Sequence, residues 1–399
     1  MSKKSSFFIK KKLPHVSQKN DMGCHFAAIT MLLKYLGVDT CLIEVMHHSG
    51  VAHSLCSRPK FLKFNYIHAF LPSIIPMIDS GNPISQGIKD LNFLGSLFGL
   101  KCDYRSPNGK NGSYGDWEDY LESIKNYIKR DIPVYVGVDP IVWPVYRESW
   151  DINGNHYFNR GGHAIVVIGF DEEKNEIFFH DPYDFRIDIA KCKGASISID
   201  VFKKAVIQAY SPIKKLNFTT IIFRRQSEPM SNEEIFNMVK ERNLRRMQGD
   251  LSAYDKDLCQ NLSCFGIKAV EAFREDLQTM QSSWKEIFYK FLTFFKYPSI
   301  PFEDFIVSSY RISEQKFEVA HFLQDNKKFT EINKKVALRL QAEALYWKQL
   351  VYLFTKWNYL IKNNSIGIIV KEVPAIIDKI LIVLKKIIQT EEEIINTMR

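Results

Sequence analysis

The sequence has no CxxC pair, no apolar run of about twenty residues, no internal repeat and no low-complexity tract. Each absence removes a class of protein. The seven cysteines are Cys24, Cys41, Cys56, Cys102, Cys192, Cys259 and Cys264. Their odd number and irregular spacing speak against a disulfide framework and against a cysteine-based zinc site. Reduced thiols in a cytoplasmic compartment fit this usage best. Without a long apolar run there is no membrane span to expect. The opening stretch MSKKSSFFIKKK has no apolar core long enough for a signal peptide.

Acidic residues are the scarcer charge. Asp and Glu number 45 against 54 Lys and Arg, for a formal net charge of +9. A basic balance favours acidic partners, whether nucleic acid, anionic lipid or an acidic protein, and does not choose among them. Part of the excess is the run Lys10, Lys11 and Lys12, which reads as solvated surface. No nucleic-acid motif accompanies the charge, so no nucleic-acid partner is expected. With 399 residues, 46% hydrophobic and 25% charged, the chain is globular and long enough for two domains or three.

The pattern changes character part-way along. Helical spacing marks Cys24 to Tyr35 and Tyr114 to Lys129. Strand-like runs follow at 132–139 (IPVYVGVD), 163–170 (HAIVVIGF), 176–181 (EIFFHD) and 218–225 (FTTIIFRR). The stretch DEEKN at 171–175 predicts the turn of a β-hairpin. Ser231 with Glu234 has the form of a capping box and predicts a helix start. Beyond it no strand is expected. Val370, Val373, Ile377, Ile380, Leu384 and Ile387 predict an amphipathic helix packed on a bundle, which Pro374 would start or kink. The fold class is therefore α+β in residues 1–227, followed by an all-α domain over 228–399.

The stretch SQKNDMGCHFAAITMLLKYLG, residues 17–37, places Cys24 at a helix start. Ile29, Leu32, Leu33 and Leu36 recur at helical spacing, and Gly37 supplies a stop. Unpaired N–H groups and the dipole at a helix start stabilise an anion, and a thiolate is one. A cysteine nucleophile needs a base, and the base needs an orienting group. His163 opens one predicted strand and Asp181 closes the next. A turn centred at Lys174 or one residue earlier sets His163 opposite roughly residue 183, beside Asp181. The carboxylate could then hold one imidazole nitrogen while the other faces a thiol. Gln18, six residues before Cys24, could donate to an oxyanion together with the Cys24 N–H.

Other signals carry less. His47, His48, His53 and Cys56 invite a zinc reading, but their spacing matches no recognisable site, and they could instead line a substrate pocket. No bound metal is expected. His25 points about 100° away from Cys24 on a helix and is a poor base for it. His180 should face away from Asp181. PNGKNGSYG at 107–115 lacks the lysine–hydroxyl ending of a phosphate loop and reads as a plain loop.

Gln18, Cys24, His163 and Asp181, in that order and on those elements, resemble the papain-like cysteine enzymes. The likeness is greatest to the peptidase branch that trims bacteriocin leader peptides. That branch usually has Asp-Cys-Gly at the nucleophile, whereas here the residues are Gly23, Cys24 and His25, with Asp21 displaced upstream. The helical half resembles the companion domain of the butirosin-biosynthesis acyltransferase family. The matching pieces are FGIKAVEAF (265–273), YRISEQKFEVAHFL (310–323) and the helix around Trp347. The resemblance implies a papain-like fold with an appended helical domain that acts as a lid or binds the substrate or carrier protein. It implies acyl transfer to a small amine from the phosphopantetheine thioester of an acyl or peptidyl carrier protein, with no cofactor of the enzyme's own. A relative, the closthioamide amide synthase, is implied to act on carrier-bound chains with a diamine. The same triad also serves a peptidase or amidase, and an inactive binding module is a third reading.

Overall fold

The computed structural model describes residues 6–18, 23–50, 56–57, 84–105, 114, 116–139, 163–183, 193–207, 218–253, 264–282, 300–325, 331–363 and 366–399. The chain divides into two compact units, Met1–Val45 with Ile75–Asn232, and Met46–Ile74 with Glu233–Arg399.

The first unit is built on an antiparallel sheet. In chain order its elements are β1 (Ser6–Phe8), α1 (Cys24–Tyr35), α2 (Leu42–His48, which runs on into the second unit), α3 (Ile84–Leu97), β3 (Leu100–Arg105), α4 (Trp117–Lys129), β4 (Val134–Val138), β5 (His163–Asp171), β6 (Glu176–His180), β7 (Lys193–Ser198), α5 (Ile199–Ile207) and β8 (Thr220–Arg225). The short strand β2 (Cys56–Ser57) falls in the second unit. The sheet order is β3-β8-β4-β5-β6-β7, with β1 also paired to β5. Alternation along β4 sends Val134, Val136 and Val138 into a core with Tyr120, Ile124 and Phe202 of α4 and α5. It turns Tyr135 to the other face, where α1 packs on β4 and β5.

Helix α1 begins and ends where its sequence directs. Gly23 is its N-cap and supplies no side-chain oxygen to the first-turn amides. At the other end Gly37 takes φ +84, Val38 N–H reaches the Leu33 carbonyl at 3.1 Å, and Gly37 N–H reaches that of Lys34 at 3.0 Å. This is a Schellman closure, in which the left-handed residue is a glycine because it has no Cβ to clash. Ten of the twelve residues of α1 are buried. That burial fixes the helix, and with it the position of Cys24.

The β5–β6 hairpin forms as its pattern predicts, with Asp171 paired to Glu176 across the turn. The Asp171 carboxylate accepts from the Glu173 and Lys174 amides at 3.1 and 3.0 Å, and Asn175 adopts φ +54, as turn asparagines readily do. A bulge between Val167 and Gly169 shifts the register by one residue, so that Val166 faces His180. Gly169 is needed there, since a Cβ would stand 2.5 Å from the Phe8 ring.

Several expected boundaries move. α4 starts at Trp117 rather than Tyr114, because the Asp116 carboxylate accepts from Asp119 N–H at 2.9 Å and caps the helix there. The run at 132–139 forms a strand only over Val134–Val138, and that at 218–225 only from Thr220, after Phe218 at φ +68. Asp181 lies one residue beyond β6. β1 is too short and β7 too polar to carry an alternating signal, whereas β3 does alternate, Leu100, Cys102 and Tyr104 against Lys101, Asp103 and Arg105, and was missed.

The second unit holds α6 (Asn232–Met247), α7 (Ile267–Ser282), α8 (Ile300–Asp325), α9 (Glu331–Asn363) and α10 (Ile366–Met398). α6 opens directly after Ser231, as the capping-box pattern predicts. One expectation fails. Strand β9 (Cys264–Phe265) pairs with β2, so this part of the chain is not wholly without strand. Two residues are too few to show a period. Pro374 lies inside α10 rather than at its start, and its carbonyl accepts from Gln281 Nε2. Val373, Ile377, Ile380, Leu384 and Ile387 are buried with Trp347, Phe354 and Trp357. Lys371, Asp378, Lys379, Lys385 and Lys386 are exposed. α10 is therefore a bundle helix with its apolar face covered. Among the described residues no helix is long and apolar enough to cross a membrane.

A fully buried ionic cluster ties three of these helices together. Lys316 of α8 lies 2.8 Å from Glu343 of α9 and 2.7 Å from Glu391 of α10, and Trp347 Nε1 donates to Glu343 at 3.0 Å. Burial, and then the neighbouring Glu391 carboxylate, push the Glu343 carboxyl well above the usual carboxylate range. Burial works against the Lys316 charge, but the two carboxyl groups outweigh it and keep the ammonium. Removing one member of such a cluster strands the others in hydrocarbon. Lys316→Ala should cost about 3–5 kcal/mol in urea unfolding. A triple replacement, Lys316→Met with Glu343→Leu and Glu391→Met, should recover part of that loss, the remainder reflecting the Trp347 N–H left without its acceptor.

Candidate active site

The first unit brings Cys24, His163, Asp181 and Gln18 into one neighbourhood. Extending the β5–β6 register past Val166 and His180 sets Ile165 opposite Asp181, with His163 two residues further on the same face. That diagonal is within reach of two side chains. His163 Nε2–H donates to Asp181 Oδ1 at 2.7 Å, with both side chains almost wholly buried. The same Oδ1 accepts from Tyr183 N–H at 2.8 Å, which fixes the carboxylate in place. With Nε2 committed to Asp181, Nδ1 is the nitrogen left for the sulfur. Cys24 is half-buried at the first position of α1, and its sulfur acts on the His163 ring.

The electrostatics of that ring follow from its surroundings. Burial alone would lower the His163 pKa. The Asp181 charge and hydrogen bond, with the Cys24 sulfur beside it, outweigh burial and raise it to about 10. The ring is therefore an imidazolium at neutral pH. An imidazolium next to a cysteine favours the thiolate, the form that attacks carbonyl carbon.

The chain before α1 is stitched to the end of the hairpin. His15 Nε2–H donates to the Asp181 carbonyl at 2.8 Å, and Gln18 N–H donates to the Pro182 carbonyl at 2.8 Å. Gln18 is 2% exposed, and its Oε1 has no hydrogen-bond partner among the described residues. A buried amide normally satisfies its polar atoms. The Gln18 amide thus lies buried at the end of the hairpin that carries Asp181, with its oxygen unpaired among the described residues.

The family model described as the Peptidase_C39 like family matches residues 10–214, just over half of the chain. The chain belongs to that family. This member has a papain-like fold and is a papain-like cysteine enzyme, with all four residues inside the matched span. Curated proteins give no match.

The remaining histidines separate from the site. His25 is buried with Nδ1 2.9 Å from the Tyr135 hydroxyl, and burial lowers its pKa to about 4. His180 falls to about 4 through burial, aided by His15, Lys193 and Lys12. His47 and His48 belong to the second unit, where burial takes them to about 4 and about 3. The carbonyls of His47 and Ser49 accept from Asn243 and Arg246. Among the described residues no three ligating side chains converge. His53 and the Cys56 side chain lie outside the described residues, as does most of the loop at 107–115. Cys24, Cys41 and Cys102 are free thiols. Sequence reasoning missed Tyr135 and His15. Their roles depend on strand register and on the path of the N-terminal segment, which no local pattern encodes.

The raised His163 pKa has a thermodynamic consequence. A folded-state pKa of about 10, against the ordinary imidazole value of 6.5, stabilises the fold fully below about 6.5. That stabilisation is lost as pH rises through about 10. Melting temperatures of the wild type and Asp181→Asn should therefore differ most near and below neutrality. The gap should narrow as pH climbs toward 10.

Proposed function

We propose that this protein is a cysteine-dependent acyltransferase that forms an amide bond. It takes an acyl group from a carrier-protein thioester through an acyl-Cys24 intermediate and passes it to a small amine. The buried His163–Asp181 bond beside Cys24 carries the reading, since a permanently oriented imidazolium next to a sulfur suits thioester exchange. Residues 1–227 carry the chemistry in this reading, and residues 228–399 serve as the lid or the carrier-binding part.

In the first half-reaction the Cys24 thiolate attacks the thioester carbonyl, and the π electrons move onto oxygen. Gln18 Nε2–H and the Cys24 N–H hold that oxyanion. Collapse expels the phosphopantetheine thiolate, which takes a proton from His163. The neutral imidazole left behind is the base for the second half. The amine attacks acyl-Cys24, His163 accepts its proton, and the second tetrahedral intermediate expels the Cys24 thiolate. The starting ion pair is restored, and the amide leaves. The phosphopantetheine belongs to the carrier protein, so the enzyme needs no cofactor of its own. The +9 charge favours approach of an acidic carrier.

Incubation with an acylated carrier protein should add the acyl mass to Cys24, and an added amine should discharge it as amide. Full amide formation by Cys24→Ala would overturn the mechanism. Gln18→Ala should lower kcat by about 10²–10³-fold, the usual effect of losing one oxyanion donor.

A second reading, peptidase or amidase, is favoured by the family description itself. Water then takes the place of the amine. The product would be a free acid whose yield is insensitive to added amine, and leader-like peptides would be cleaved.

A further inference from the structure

Helix α9 is apolar on two sides, where a bundle helix needs only one. Its inner side, with Trp347, Leu350, Phe354 and Trp357, is buried in the core of the second unit. On its outer side Leu338, Leu345, Tyr352 and Tyr359 are each more than half exposed. These four recur at every seventh residue. That spacing drifts around a helix by only about 20° per repeat. They therefore stay on one side of α9 as a ridge about 32 Å long.

Contacts fix the edges of the ridge. On one flank Arg339 pairs with Glu393 of α10 at 3.1 Å, and Lys386 of α10 sits over the Tyr346 ring at 5.5 Å. On the other flank Gln341 Nε2 donates to Gln324 of α8 at 2.9 Å, and Lys348 pairs with Glu314 of α8 at 3.3 Å. The ridge lies between these flanks and faces outward from the three helices. It is also basic. Lys334, Lys335, Lys348 and Lys356 are exposed, against Glu331 as the one exposed acid of α9. Lys334 pairs with Glu331 at 3.5 Å and Lys348 with Glu314, which leaves Lys335 and Lys356 in excess.

The charge and the spacing select the occupant. A second copy of the chain would set this basic face against itself. A lipid surface would bury Lys334, Gln349 and Lys356, which share the ridge's side of the helix. An acidic protein satisfies both features. Its apolar side chains cover the leucines and tyrosines, and its carboxylates face the lysines. We propose that the outer ridge of α9 docks an acidic protein, the carrier that delivers the acyl group. This partner rests on the carrier-dependent reading under Proposed function. A carrier helix laid along the ridge meets an apolar residue every second turn, the spacing at which two helices stay in contact.

Amide formation by the full chain tests this with two donors. One is the acylated carrier protein, and the other is the same acyl group on N-acetylcysteamine, a phosphopantetheine mimic without the protein. Leu345→Asp with Tyr352→Ala should raise KM for the carrier by about tenfold. Lys335→Glu with Lys356→Glu should raise it as well and flatten its dependence on salt. Neither pair should change kcat/KM for the small thioester, which also shows that the variants fold. If the first pair does not fold, the charge-reversal pair decides alone. An unchanged KM for the carrier in variants that still turn over the small thioester would overturn the proposal. Wild-type dimers, or binding to vesicles of phosphatidylcholine with phosphatidylserine, would overturn it too if these substitutions abolish them. Acylation of Cys24 by neither donor in the wild type would instead remove the acyltransfer reading, and this partner with it.

Discussion

The hydrogen bond between His163 and Asp181 is the constraint on which the rest of the site depends. Neither residue would be tolerated alone where it sits. A carboxylate with no exposed surface and an imidazolium in the same core each carry a desolvation cost. They offset it for one another at 2.7 Å, and the Tyr183 amide completes the carboxylate's bonding. The fold is arranged to bring this about. The hairpin register sets the two residues on one diagonal, and the bulge at the middle of β5 tunes that register. The N-terminal segment is then pinned to the far side of Asp181 and Pro182. An end-of-strand carboxylate thus organises the base, the segment carrying Gln18, and through the base the sulfur.

The histidines of the first unit show how the same desolvation gives opposite results. Burial pushes each imidazole toward its neutral form. For His25 and His180 nothing reverses that push, and both fall to about 4. Of these three rings His163 is the one that faces a carboxylate and a thiol, and it rises to about 10. His25 is nearer to Cys24 along the chain, yet it is the wrong partner because its contact is a phenol. Chemistry at this site is assigned by the charge opposite each ring rather than by proximity in sequence.

Much of this was legible in the sequence wherever short-range periodicity carried the information. The α1 boundaries, Cys24 to Tyr35, follow from apolar spacing and from the glycine stop, because helix ends are local events. The β5–β6 hairpin follows from its polar turn, and turn position fixes register, so His163 and Asp181 could be paired before any coordinates. Local patterns lose their force where contacts are long-range. β3 reaches its place only by pairing with β8, more than a hundred residues away, and β1 by pairing with β5. The start of α4 moved to Trp117 because a single side-chain cap outweighed a periodic pattern that began earlier. β2 and β9 pair over two residues each, too few to show any period. Tyr135 lies in a run read only as a strand, and strand register alone brings its hydroxyl to His25 of α1.

In the proposed mechanism, a thiolate, an imidazolium and an oxyanion-holding amide are indifferent to whether water or an amine arrives second. Both acceptors attack the same acyl-sulfur carbonyl, and both surrender a proton to the same neutral ring. The outcome is set by which acceptor is present in the attacking position, and therefore by exclusion of water and placement of the amine. Selection for transfer acts on groups outside the triad. A thiolate held by the His163 imidazolium would be a better leaving group when acyl-Cys24 collapses. Stabilising the departing sulfur helps either acceptor in that final step. Discrimination between amine and water must therefore come from residues that touch the acceptor itself.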